Sequence, residues 1–388
     1  MERKMNEAVA PAVSLPAAEK EIPLRDAAVD NLRSGVVLSV IFYHAFYMLN
    51  SQGVPSTLGV KGIPVLDAVE YFLYPWFMAL LFVLAGISAR YALAHRTGRQ
   101  FWHERVQRLL VPSVGCFFLL DWIITWVLSR YVDLFGGSGA AVPLPVKYLV
   151  YCLAGIGPLW FCHVLLVFSA LLLAVRRLDK NEVLPRLGKK AANLPVLLVL
   201  AFAVWGAAQL GNMPVITVYR FGIYGFCFAA GYCIFSHAEV QAVLAGRHAL
   251  LLAAAVLCGA VYSVFYFGKN YGEQAVMGTF FTNAYAWLMI LALLGTARAR
   301  WNRETAFTRW MRPRSFGFFV LHYPLMAVLG WLLATVLALP AAAVYPLWLL
   351  LTALLLIPLE AAVRHTPGLR WWILGCKKSV EKQKSSVQ

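Results

Sequence analysis

A chain of 388 residues that is 61% hydrophobic and only 13% charged has more apolar surface than one soluble core can bury, so the bilayer has to be its main solvent. A formal net charge of +16 would suit a nucleic-acid binder, but the basic residues fall in short clusters between long apolar runs instead of forming one patch, and that class is set aside. The seven cysteines show no paired two-residue spacing and read as small core residues, neither disulfides nor metal ligands, so no metal is expected.

Residues 1–28 are polar and lack the apolar stretch of a secretory signal, so they are expected to remain as a cytoplasmic tail. After them, a hydrocarbon core of about 30 Å needs roughly 20 apolar residues as helix, and on that rule about ten spans follow in an all-α transmembrane bundle. Their expected limits are Leu32 to Leu49, Val69 to Leu93, Leu109 to Leu128, Pro158 to Val175, Leu194 to Leu210, Thr217 to Phe235, Ala249 to Phe267, Val276 to Ala297, Phe316 to Leu339 and Val344 to Val363. An independent signal supports the count. Placing the amino-terminal tail and every second loop on one side gathers there all of the 34 Lys and Arg except Lys61, Arg130, Lys147, Arg220 and Lys269. Basic residues accumulate on the cytoplasmic side, so both termini are expected there. The transmembrane domain is expected over 29–365, with a second cytoplasmic tail over 366–388 that is disordered from Lys377 onward.

Ionisable residues inside a span cost at least a few kcal/mol and are functional candidates by default. In the first span Arg33 and His44 are eleven residues apart, three turns plus about 20°, so they share one helix face roughly 16 Å apart along the axis. Asp30, three residues before Arg33, can pair with it. The same spacing is compatible with an interfacial anchor and a hydrogen-bonded core histidine. Asp67 and Glu70 open the second span and could orient an acceptor hydroxyl, though carboxylates also complement a helix amino terminus. In the segment FWHERVQRLLVP, Arg105 and Arg108 lie three apart ahead of an apolar span, a phosphate site or a basic helix on anionic lipid. Asp121 sits mid-span and could pair with His163 or Arg220. Trp160 and His163 lie in GIGPLWFCHVLL, either an interfacial anchor or a cavity-lining element. His322, in SFGFFVLHYPL, could line a donor channel or bond a neighbouring helix.

Together these segments resemble the acyltransferase-3 family of membrane acyltransferases, which includes bacterial O-acetyltransferases of surface polysaccharides and glucan succinyltransferases. VDNLRSGVVLSVIFYHAFYML is similar to the family's first-span pattern of an arginine and a histidine with ten residues between. Phe101, Arg105, Arg108 and Pro112 match its phenylalanine, paired-arginine and proline pattern. LLFVLAGISARYAL, the LWF of Leu159 to Phe161, and His322 before Tyr323 and Pro324 extend the likeness, which runs from about Val29 to Leu325. Ser34 stands where the family often has glycine.

The resemblance implies transfer of an acyl group, most often acetyl, from cytoplasmic acetyl-CoA to a hydroxyl on an envelope carbohydrate or lipid-linked sugar outside. Arg105 and Arg108 would then hold donor phosphates, His44 would act as general base, and Arg33 tied to Asp30 would sit at the donor end. Glu70, Asp121, Trp160, His163 and His322 are the weaker candidates for substrate contact. A transporter or flippase of a sugar or lipid-linked sugar is the alternative. It predicts no coenzyme A binding.

Overall fold

The computed structural model describes residues 26–51, 58, 61–213 and 218–377. Among them, helices are the only regular elements apart from one isolated antiparallel bridge between Asn212 and Arg220. The principal helices are α1 (Ala27–Tyr47), α2 (Pro64–Ala94), α3 (Gly98–Leu128), α4 (Leu144–Ala154), α5 (Trp160–Leu178), α6 (Val183–Lys189), α7 (Leu194–Ala207), α8 (Phe221–Phe235), α9 (Ala238–Gly246), α10 (His248–Tyr266), α11 (Phe280–Arg300), α12 (Ser315–Val336), α13 (Ala341–His365) and α14 (Pro367–Leu374).

Each apolar run expected from the sequence falls on one of these helices, although the expected start at Thr217, most of the amino-terminal tail and the carboxy-terminal tail beyond Lys377 lie outside the described residues. Seven helices, α2, α3, α5, α10, α11, α12 and α13, are long and apolar enough to cross a bilayer, and α8 with α9, bent by 97°, makes an eighth if the pair is one span. The other two expected spans differ for physical reasons. α1 has 21 residues but carries Asp30 and Arg33, while α7 has 14 residues, about 21 Å at 1.5 Å per residue and short of the hydrocarbon thickness.

Local chemistry starts and stops these helices. Asp26 caps α1 by accepting from the backbone nitrogens of Ala28 and Val29, and Thr97 with Gln100 forms a reciprocal capping box at α3. α3 therefore begins eleven residues before its expected limit, and FWHERVQRLLVP belongs to a continuous helix. Within α3 two five-residue π turns, Val106–Leu110 and Phe117–Asp121, break the α register. α14 ends on Gly375 in the left-handed region (φ +63°), and Gln107 Nε2 donates to its carbonyl at 3.0 Å. Part of the expected carboxy-terminal tail thus packs against α3.

α2 is the centre of the bundle, touching α1, α8, α10 and α11; 78% of its most apolar stretch is buried, against 28% for the peripheral α13. Its crossing with α8 is unusually close because glycine faces backbone on both sides. Gly86 lies against Phe228 and Tyr232, and Gly231 lies against Val83. The outward faces are apolar: Leu250, Leu257, Val261 and Val264 on α10, and Leu347, Leu350, Leu354 and Ile357 on α13 are exposed at helical spacing. Such stripes are lipid-facing surface, and the protein is a membrane protein.

The ion pairs collect at the end of the bundle where the basic clusters lie. Asp26 pairs with Arg298 at 3.3 Å, Asp30 with Arg312 at 3.9 Å, and Glu360 of α13 with Arg314 at 3.8 Å and with Arg364. Arg90 of α2 grips Glu182 with both guanidinium nitrogens at 2.7 and 2.8 Å. That fork holds the Glu182 carboxyl below its usual range.

Candidate functional site

The site is organised along one face of α1. At its amino-terminal end the Arg33 guanidinium donates to Asp30 Oδ1 at 3.1 Å, to Ser88 Oγ of α2 at 2.5 Å and to the Leu84 carbonyl at 3.5 Å. The Ser34 and Ser315 hydroxyls meet at 3.1 Å and lock α1 to α12. The expected Asp30–Arg33 pair is present, and it is anchored to two further helices that spacing could not name.

Arg105 and Arg108 are treated differently by the fold. Arg105 is partly buried, its guanidinium 4.7 Å above the Phe101 ring, and Arg33, Glu104, Arg108 and Arg96 are the charges that act on it. Arg108 is exposed. The π turn from Val106 to Leu110 starts directly after Arg105, so the two arginines are not spaced by a regular α-helical turn.

Three turns along α1, His44 is partly exposed and meets His322 of α12, which is fully buried. His44 Nδ1 lies 3.0 Å from His322 Nε2, and His322 Nδ1 lies 3.0 Å from the Phe318 carbonyl. The Tyr323 ring packs edge-on against His44 with centroids 4.7 Å apart. His322 thus bonds a neighbouring helix, one of the two roles open to it from sequence, and the helix it bonds is the one carrying the other candidate histidine.

Beyond the histidines lies a buried polar cluster. The Glu70 carboxylate accepts from Asn50 Nδ2 at 2.8 Å and from the Tyr271 hydroxyl, and the Tyr271 and Tyr43 hydroxyls meet at 2.9 Å. Tyr43 is the neighbour of His44 on α1. Glu70 Oε1 is buried, with no hydrogen bond among the described residues. Asp67 is held separately, accepting from the backbone nitrogen and hydroxyl of Ser51 at 3.0 and 2.8 Å. Tyr271 comes from the loop between α10 and α11, and burial holds its phenol protonated. The sequence reading missed it, and Asn50 as well. Their only signal was a polar residue beside a span end.

The remaining candidates do not join this line. Asp121 is buried at the end of a π turn and pairs with neither expected partner. His163 Nδ1 instead contacts the Tyr219 hydroxyl at 3.0 Å, and Arg220 donates to Gly272 O and Gln274 Oε1. The charge that Asp121 would carry acts instead on Cys116 and Cys152. Trp160 packs in an aromatic cluster with Phe82, Tyr219 and Tyr224, which Phe161 and Phe319 continue toward His322.

A model of the acyltransferase-3 family, described as an acyltransferase domain, matches residues 26–363. No curated protein and no solved structure matches the chain.

Proposed function

Because the chain belongs to the acyltransferase-3 family and is a membrane acyltransferase, we propose that it moves an acyl group, acetyl in the simplest case, from cytoplasmic acyl-CoA to a hydroxyl of an extracytoplasmic carbohydrate or lipid-linked glycan. The observation that carries this reading is the polar line along α1: Arg33 with Arg105 at one end, His44 bonded to His322 at mid-depth, and the Glu70, Tyr271 and Tyr43 cluster beyond. The reading takes ten crossings of a plasma (inner) membrane, with both termini cytoplasmic, so that the arginines face the donor and Glu70 faces the acceptor.

In this reading Arg33 and Arg105 bind the donor's phosphates as fixed guanidinium donors, and exposed Arg108 adds long-range attraction. The thioester arm extends from them toward His44. The acceptor hydroxyl gives its proton to His44 as its oxygen attacks the thioester carbonyl carbon; the C–S bond breaks, and the leaving thiolate takes the proton back from His44. The ester and the free thiol are formed with the enzyme unchanged. Glu70 Oε1, a buried acceptor with no hydrogen bond among the described residues, suits a hydroxyl of the acceptor sugar.

The test is acetyl-CoA binding to purified protein, wild type against the Arg105→Ala/Arg108→Ala double variant, together with envelope-glycan acetylation in a His44→Ala strain. Wild-type binding that is lost in the double variant, with acetylation lost in His44→Ala, is expected. No donor binding by the wild type, or unchanged acetylation without His44, removes the enzyme reading.

A further inference from the structure

We propose that His322 holds His44 in the tautomer protonated at Nδ1, leaving Nε2 as the atom that takes the acceptor's proton; the inference rests on the reading of His44 as general base. The assignment follows from the order of donors and acceptors along the pair. The Phe318 carbonyl can only accept, so its 3.0 Å contact places the proton of His322 on Nδ1. A neutral His322 then has only a lone pair at Nε2. His44 must donate to it from Nδ1 across 3.0 Å. The single ring proton of a neutral His44 is thereby used, and its Nε2 is bare.

The surroundings favour this neutral arrangement. An extra proton on the His322 side would place a full charge on an imidazole with no exposed surface, bonded to the Phe318 carbonyl and to another imidazole. Among the described residues no carboxylate bonds either ring. The titratable groups facing the pair are Tyr43 and Tyr47 of α1 and Tyr323 of α12, with Glu70 of α2 held behind Tyr271. When Nε2 takes the hydroxyl proton during transfer, His44 keeps its Nδ1–H directed at the His322 lone pair, and the positive charge is met by a fixed acceptor inside the bundle. His322 touches no substrate in this scheme. It is a positioning residue acting through His44.

Two measurements decide it. In full-length protein carrying 15N-labelled histidine, with the His44 signals identified by their absence in His44→Ala, wild-type His44 is expected protonated at Nδ1 near neutral pH, and His322→Leu is expected to release it to a mixture of tautomers. A wild-type His44 protonated at Nε2 overturns the proposal. Kinetically, His322→Leu is expected to lower kcat on the order of 100-fold, the size of a general-base contribution, with both KM values within about threefold, since no binding contact is lost. His322→Gln, whose amide oxygen can accept where Nε2 stood, is expected to stay within about tenfold of wild type. Equal losses in the Leu and Gln variants, or wild-type kcat in the Leu variant, overturn the proposal. Acyl transfer that survives His44→Ala would remove the general-base reading instead, and the tautomer assignment would still be decided by the spectrum.

Discussion

Replacing Gly86 with alanine adds a single methyl group where α2 and α8 cross closely. Its Cβ would stand 2.8 Å from the Tyr232 backbone nitrogen and closer still to the Phe228 carbonyl oxygen, where real contacts essentially never fall below 3.0 Å. Both obstacles are backbone, so no side chain can rotate aside, and α2 must move away from α8 by on the order of 1 Å. A gap of that size forfeits a quarter to a half of each dispersion contact along the seam, and overpacking of this kind costs about 1–3 kcal/mol. The seam includes the stack of Phe82 on Tyr224, with ring centroids 4.7 Å apart. Gly231→Ala on the opposite helix meets Val83 backbone in the same way, and once one methyl has parted the helices the second fits into the space. The double variant is therefore expected to be less destabilised than the sum of the singles, by about 1 kcal/mol in a double-mutant cycle. Gly206→Ala is the control, because nothing lies within 4 Å of its Cβ, and it is expected to gain up to about 1 kcal/mol from helix propensity. Reversible unfolding of the purified protein in mixed micelles measures all four variants. Gly86→Ala within about 0.5 kcal/mol of wild type, or strict additivity with Gly231→Ala, would mean that the two backbones do not clash with the added methyl groups.

Three further outcomes are expected. Glu70→Ala leaves the Asn50 amide and the Tyr271 hydroxyl buried without their acceptor; at about 1–3 kcal/mol per orphaned donor, it should unfold at least about 2 kcal/mol more easily than Glu70→Gln, whose amide oxygen still accepts, and equal thermal midpoints would contradict this. Arg33→Lys keeps the charge but loses the fork that joins Asp30 to Ser88, so acetyl-CoA affinity should fall about tenfold by titration calorimetry, and unchanged affinity would remove Arg33 from the donor end. Glu182, held low by Arg90, contributes stability that is complete above its unfolded pKa of about 4.3 and is lost as pH falls through the lower folded value. The advantage of wild type over Glu182→Gln, below about 1 kcal/mol because Glu182 is half-exposed, should shrink as unfolding is followed downward from pH 7, and an advantage that stays constant or grows toward acid would be inconsistent with the fork.

The helices were legible in the sequence because hydrophobic length and charge asymmetry are one-dimensional signals, and each long apolar run became a helix. The Asp30–Arg33 pair was legible for the same reason, since both residues lie on one helix. What spacing could not reach was the angle at which each helix presents its face. Helices such as α2 and α12 are apolar around most of their circumference, so nothing in their periodicity says which side meets α1. His44 and His322, 278 residues apart, become partners only through the rotation of α12. Tyr271 reaches Glu70 from a loop, and Arg220, expected near Asp121, turns instead to the Gly272 carbonyl. The π turn that begins between Arg105 and Arg108 is one for which no composition rule gives warning.

That π turn also bears on how the chain could be shortened or lengthened. A π turn holds one residue more than the α-helical turn it replaces, and one residue in an α-helix amounts to about 100° of rotation and 1.5 Å of travel. Deleting a residue between Val106 and Leu110 would let α3 close into regular helix with its two halves facing nearly as before, because the wide turn already takes up the extra residue's rotation. The same deletion elsewhere in α3 would turn everything beyond it by about 100°, so this turn is where the helix can change length with the least effect on its packing.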